Sequence, residues 1–338
     1  MGSHRRLAPS SGTDRSTTVA VGLLSAAAAV LGAVPAAAAP HDDARAEVDR
    51  LYEEAEKATE AYNAADERAD TLRRQVRTAQ DGLARQQERV NTLRDALGSM
   101  AGAQYRSGGL DPSLELLLSD DPEDYLDKAS VLDRIGTRRA GELRTLQEAL
   151  RTLAQDRAET ARKLGDLERS RKAVSRHKKT VERKLAEARR LLNSLPDDAR
   201  AAHDRATRSG RTGLPVPGDA EPASGRAGAA LAAARSALGK PYVWGANGPN
   251  GFDCSGLMQW SYAQAGIALP RTSQAQRYAG RQVPLSQARP GDLVVYRSDA
   301  SHVGMYVGNG QVIHAPYPGA PVRYDPVGMM PVSSVTRV

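Results

Sequence analysis

The sequence predicts a long antiparallel helical hairpin followed by a separate α+β domain. Three observations carry this reading. Apolar side chains recur at a seven-residue period from Val48 to Gln104, and a second such series starts at Leu143. Composition then changes: residues 40–225 are rich in Ala, Arg, Glu, Leu and Asp, whereas residues 226–338 hold both Trp, the only Phe and no Glu. At 338 residues the chain has room for about two domains of ~100–200 residues.

The first segment reads as an export signal over residues 1–39. Arg5, Arg6 and Arg15 precede an apolar run from about Val19 to Val34, and four alanines, Ala36 to Ala39, follow. This is the order of a charged region, an apolar region and a small-residue cleavage site. The apolar run falls short of the ~20 residues of a comfortable membrane span; a retained anchor is the other reading. Arg5-Arg6 lies far ahead of the apolar run, so Sec and twin-arginine export both stay open. The expected localisation is secreted, extracellular or associated with the cell wall.

The hairpin is expected over residues 40–195. Its first arm carries Val48, Ala55, Tyr62, Ala69, Val76, Leu83, Val90 and Leu97, interleaved with Leu51, Ala58, Ala65, Leu72, Ala79, Leu93 and Met100; Gln86 is a polar exception. The second seam runs through Leu143, Leu146, Leu150, Leu153, Leu164, Leu167, Val174, Val181, Leu185, Ala188, Leu192 and Leu195, interrupted by Arg157, Arg171 and Lys178. Such arms form an antiparallel coiled coil, each roughly 100 Å long at ~1.5 Å per residue. Tyr105-Arg106-Ser107-Gly108-Gly109 stops the first helix, and Asp111-Pro112 and Asp121-Pro122 are helix starts. The hairpin is either a spacer or a regulatory or partner-binding element, and the apolar cluster Leu114, Leu116, Leu117 and Leu118 at its tip favours the second. Residues 196–225, with Pro215, Pro217 and Pro222, read as a flexible linker.

From residue 226 to 338 the pattern becomes α+β. An Ala-rich helix runs to about Leu238, a Gly-rich loop leads to Cys254, and a second helix reaches Gly266. Strands are expected at Leu293–Arg297, His302–Val307, Gln311–Ala315 and Val322–Asp325. The net charge of +7 resides mainly in this domain, which has ten Lys or Arg against four Asp. They are dispersed rather than clustered, which points to an anionic cell-surface polymer more than to nucleic acid.

Cys254 is the only cysteine, so no disulfide forms within the chain, although exported proteins commonly use them. A thiol at a helix start is favoured as thiolate by the helix dipole, and the adjacent backbone N–H groups can serve an oxyanion. Of six histidines, only His302 and His314 share the domain with Cys254. A metal bound by Cys, His and His is a weaker reading, because no CxxC or HxxxH spacing supports it; no metal and no cofactor are expected. The Asn309-Gly310 signal bears on His314. A two-residue turn pairs Met305 with His314 and puts the two histidines on opposite faces. A three-residue or bulged turn pairs Gly304 with His314 and puts both on one face. A Cys254–His302–His314 triad therefore requires the second arrangement.

Five segments in order, Pro241-Tyr242-Val243-Trp244-Gly245, Phe252-Asp253-Cys254-Ser255-Gly256-Leu257, Arg271-Thr272-Ser273, Pro290-Gly291-Asp292-Leu293 and His302-Val303-Gly304-Met305-Tyr306-Val307-Gly308, resemble the NlpC/p60 cysteine peptidases. Residues 41–195 are similar to the coiled-coil regions of secreted cell-wall hydrolases of that family. The resemblance implies a papain-like α+β fold, Cys254 as nucleophile, His302 as base and His314 as the third, variable position. It implies hydrolysis of peptidoglycan stem peptides, usually at the D-γ-glutamyl–diaminopimelate bond, through a thioester. Tyr242 matches the family tyrosine whose hydroxyl can assist the oxyanion, and a core aromatic is its other reading. Ser255 and Arg271 are candidates for stem-peptide carboxylates or for structural roles, and Asp253 for the helix cap. A membrane-protein activator acting through the coiled coil also follows from the resemblance. The alternatives are an amidase or acyltransferase on another γ-glutamyl substrate, and a non-catalytic wall-binding coiled-coil protein.

Overall fold

The computed structural model describes residues 40–106, 122–201, 222 and 224–338. The expected export signal, the tip leucines Leu114 to Leu118 and most of the linker lie outside the described residues. Helix α1 spans Pro40–Arg106 and α2 spans Pro122–Ser194. They pack antiparallel: Val48, Leu51, Ala55 and Ala58 meet Val181, Leu185 and Ala188, while Val90 meets Ala149 and Leu153. The first seam matches the heptad reading. The second does not in full, because Leu143 and Leu164 are exposed. The stripe facing α1 instead passes through Ala149, Thr160 and Ser170, all buried. The two hydroxyls are tolerated there because each finds a carbonyl, Thr160 that of Asp156 and Ser170 that of Ala65 across the hairpin at 2.8 Å. Gln86, the polar exception, donates to the Ala149 carbonyl of the opposite arm at 3.1 Å.

The C-terminal part contains α3 (Gly225–Ser236), α4 (Cys254–Gln264) and the short α5 (Ser273–Gln276). Its six strands are β1 (Arg281–Val283), β2 (Leu293–Tyr296), β3 (His302–Gly308), β4 (Gln311–His314), β5 (Arg323–Pro326) and β6 (Val332–Arg337). They form one antiparallel sheet in the order β1-β6-β2-β3-β4-β5. Strands β1 and β6 escaped the sequence reading; the first is only three residues long and the second is half polar. Leu293, Val295, Val303, Met305 and Ile313 pack with Ala230, Leu231, Leu257, Met258 and Tyr262 of α3 and α4. Val294, Tyr296, Val312 and Val335 form a second cluster on the other face. Central strand β2 is therefore buried on both faces and reads as a continuous apolar run.

The β3–β4 connection answers the question about register. Asn309 and Gly310 form a two-residue turn, with φ of 53° and 68°, the positive values such a turn demands. Gly308 pairs with Gln311, but Tyr306 pairs with Val312 and Met305 with Ile313, so Val307 is an extra, bulged residue. Past the bulge, His314 comes opposite Gly304: a Cβ placed on Gly304 would lie 3.2 Å from the His314 Cβ. The turn is tight and the bulge supplies the one-residue shift that the triad requires.

Helix α4 is held close to the preceding loop. Asp253 caps it, accepting from the Gly256 N–H at 2.7 Å, and the Asp253 N–H donates to the Ala246 carbonyl at 2.9 Å. Gly256 permits this approach, since a Cβ there would sit 2.2 Å from the Ala246 oxygen. Gly256→Ala, which stabilises an ordinary exposed helix, is expected here to destabilise by more than about 2 kcal/mol. Urea unfolding of the variant beside wild type is the check.

Candidate active site

Cys254 opens α4, His302 opens β3 and His314 ends β4, and all three side chains are buried. The structure brings Cys254 Sγ within 4.8 Å of a His302 ring nitrogen and sets His302 beside His314. His302 Nε2 lies 2.8 Å from His314 Nδ1, and His314 Nε2 lies 2.9 Å from Asp325 Oδ2 on the neighbouring strand β5. Asp325 also accepts from Arg323 Nε at 2.8 Å. Its carboxyl lies below the ordinary range, because the pull of His314 and Arg323 exceeds the upward push of burial. The tautomers follow from this chain of contacts. The Asp325 carboxylate can only accept, so His314 Nε2 carries hydrogen. Burial and the adjacent His302 push His314 down to about 4, so it is neutral and its Nδ1 is an acceptor. His302 Nε2–H therefore donates to it, leaving His302 Nδ1 for the nucleophile side. Asp325 was missed by the sequence reading because its signal, an acid two residues after a basic residue on an edge strand, is common.

The nucleophile side is occupied by α1. Tyr52, Glu56, Thr59, Glu60 and Asn63 lie on one face of this helix, at spacings of three and four, and all are buried although four are polar or charged. Tyr52 stacks on Tyr317 with centroids 5.0 Å apart, and Tyr62 meets Trp244 edge-on at 5.3 Å. Between these aromatic contacts Glu56 bonds His302 Nδ1 through Oε1 and Arg297 Nη1 through Oε2, the latter at 2.6 Å. Arg297 has a left-handed backbone, φ 63°, and also donates to Ser301 at 3.1 Å. Glu56 stays below the usual carboxylate range even though burial opposes it, because His302 and Arg297 favour its charged form.

Glu60 lies one turn further along. Its Oε1 accepts from the Ser255 hydroxyl at 2.7 Å and lies 3.8 Å from Cys254 Sγ; its Oε2 accepts from the Ser273 N–H at 2.7 Å. Ser273 Oγ is 2.9 Å from the same oxygen but only 2.6 Å from the Ala300 carbonyl. A hydroxyl has one hydrogen, and the carbonyl claims it, so the second contact requires a proton on Glu60. Burial and the neighbouring Asp253 push the Glu60 carboxyl up to about 7, against the pull of Ser255 and Ser273. Asn63 donates to Asp253 Oδ2 at 3.0 Å and completes the docked face.

Arg271 and Ser255 come together as expected of carboxylate-binding groups, but the carboxylates they meet belong to this chain. Arg271 reaches Asp253 at 2.5 Å and 3.0 Å and Ser255 Oγ at 3.0 Å. Tyr242 is buried in the same core cluster as Cys254, and burial together with the surrounding acidic groups raises its hydroxyl well above its ordinary value. The thiol departs from expectation. Burial, followed by Glu60, Glu56 and Asp253, pushes Cys254 well above its ordinary value, and the Val303 backbone N–H offsets this only in part. With α1 docked, desolvation and three carboxyl groups outweigh the helix dipole. A groove of 340 Å³, lined by Asn63, Asp66, Asp70, Gly245, Gln259 and Arg271 among others, opens alongside.

Residues 239–335 match the sequence model of the NlpC/P60 family. A protein of Corynebacterium glutamicum named "Probable endopeptidase" is 48% identical over 118 residues, covering 35% of this chain and 56% of that one. The "Probable endopeptidase p60" of Listeria monocytogenes is 55% identical over 97 residues, covering 28% of this chain and 20% of its own length. The chain thus spans about half or less of the curated relatives it matches. Among solved structures, the P60 domain of a Mycobacterium avium subspecies paratuberculosis antigen is 38% identical, with a TM-score of 0.32; the match covers 33% of this chain and 93% of that domain. Residues 239–335 thus form an NlpC/P60 family domain within the chain.

Proposed function

We propose that the chain is an exported cysteine endopeptidase that cuts peptidoglycan stem peptides, with helix α1 holding it latent in the closed arrangement described above. The observation that carries the reading is the buried series Cys254, His302, His314 and Asp325, in which each imidazole has its partner. When α1 lifts, Glu56 leaves His302 Nδ1 and the base can take the thiol proton. The thiolate attacks the amide carbonyl, and His302 returns the proton to the leaving amine. Water, deprotonated by the same imidazole, resolves the thioester. Cys254 and Ser255 open α4, and helix geometry leaves their N–H groups without intrahelical acceptors, so they are available to the oxyanion beside Tyr242.

The family resemblance supports the D-γ-glutamyl–diaminopimelate bond as the one cut. Ser255, Ser273 and Arg271 stand ready for a substrate carboxylate once Glu60 withdraws. The charged, apolar and small-residue order of residues 5–39 supports export to the cell wall, and an activating membrane protein that engages the hairpin fits the same reading. No helix among the described residues is long and apolar enough to cross a membrane.

Two outcomes test this. The double variant Glu56→Ala/Glu60→Ala is expected to release the γ-bond products from purified muropeptides at least about tenfold faster than wild type. That is the equilibrium effect of removing about 1.5 kcal/mol of closed-state contacts. Adding Cys254→Ala to it should return the rate to background. An unchanged rate in the double variant would remove the latency, and residual cleavage without the thiol would remove the enzyme assignment. Mass spectrometry of the products separates this reading from an amidase or acyltransferase. Asp325→Asn, placed in the double variant, is expected to lower kcat about 10–100-fold with KM within about twofold. Asp325→Glu should restore part of the loss; equal losses from both changes, with a lowered Tm, would mark Asp325 as structural only.

A further inference from the structure

We propose that docking of α1 builds a transition-metal site, suited to Zn²⁺, from Cys254, His302 and Glu56, with Glu60 lying beside it. The inference rests on the latency reading and adds a ligand that locks it. The thiol sulfur, an imidazole nitrogen and a carboxylate oxygen of the three residues all lie within 4.8 Å of one another and are buried. Glu60 Oε1 is 3.8 Å from the sulfur. Thiolate, imidazole and carboxylate are the donor types that Zn²⁺ takes in tetrahedral sites, at about 2.0–2.3 Å, so these three would leave the ion's fourth position to water.

The surroundings are those of a supported metal site. Metal-bound imidazoles commonly donate their other N–H to a partner that fixes the ring, and ligating carboxylates are themselves hydrogen-bonded. Here His302 Nε2 donates to His314, which donates to Asp325. Arg297 holds the second oxygen of Glu56, and Ser255 and Ser273 hold Glu60. Charge also balances while Glu60 keeps the proton placed on it above and stays outside the donor set. One dication replaces two protons, that of the thiol and that shared between Glu56 and His302, and both pass to solvent. The net charge of the buried cluster is therefore unchanged. No spacing motif announces the site, because the carboxylate comes from a hairpin helix and the other donors from α4 and β3. It exists only while α1 is docked, so a bound ion favours the closed state in proportion to its affinity.

Co²⁺ titration of the full chain with its thiol reduced tests the proposal. Expected are one equivalent bound, a near-ultraviolet thiolate-to-cobalt charge-transfer band, the strong visible bands of tetrahedral cobalt, and loss of both on adding Zn²⁺. Cys254→Ser should abolish the charge-transfer band. Glu56→Ala/Glu60→Ala should weaken Co²⁺ binding at least about tenfold, and circular dichroism checks that it folds. Tyr52→Ala, which loosens docking against Tyr317 and leaves every donor in place, should weaken binding in the same direction. No band in wild type would overturn the site. Equal affinity in wild type and the double variant would overturn its dependence on the hairpin. Because the band is read without substrate, its absence leaves the peptidase reading standing. A band beside a double variant that cleaves no wall peptide supports the metal site and removes the peptidase reading.

Discussion

Two glutamates of one helix, placed against the thiol and imidazole of the C-terminal domain, set the terms for the rest of the molecule. A carboxylate is not buried without partners, and every nearby polar group is arranged accordingly. Glu56 is bound by His302 and Arg297; Glu60 is bound by Ser255 and Ser273. The aromatic contacts at Tyr52 and Tyr62 flank this polar centre and fix its position along α1. The same contacts that satisfy the carboxylates occupy His302 Nδ1 and raise the Cys254 thiol. In the reading proposed above, one helix face thereby stabilises a closed arrangement and withholds the conditions for nucleophilic attack.

The chemistry beneath that face depends on one bulged residue. With Val307 left out of the β3–β4 pairing, His302 and His314 share a face, and β5 brings Asp325 to the far end of the series. Without the bulge, Met305 rather than Gly304 would oppose His314 and the imidazoles would face apart. The tight approach of α4 to the Ala246 loop, permitted by Gly256, fixes the thiol with comparable economy of means. The site is therefore held by backbone constraints on strands and a helix start rather than by α1 alone.

Much of the hairpin was legible because periodicity is a local property: most of the first seam from Val48 to Val90 is buried, with Tyr62, Ala65, Ala79, Leu83 and Gln86 half-buried. The second seam departs from its leucine series at the exposed Leu143 and Leu164, while the small polar residues Thr160 and Ser170 are buried. Those fit the interface because their hydroxyls bond to carbonyls. Strands β2 to β5 were visible as apolar or alternating runs. Strands β1 and β6 were not, since their place in the sheet is decided by pairing with each other and with β2.

The helical hairpin, the α+β domain and the condition that His314 had to meet were already legible in the sequence. These follow from repeats, from motifs in order and from counting residues through a turn. Folding alone reveals that a bulge meets that condition, that Asp325 completes the series, and that Glu56 and Glu60 lie against Cys254 and His302. Along the chain those two glutamates are indistinguishable from the solvated charges around them. What makes them different is burial by a distant domain, and burial is a property of the folded molecule, not of the helix that carries them.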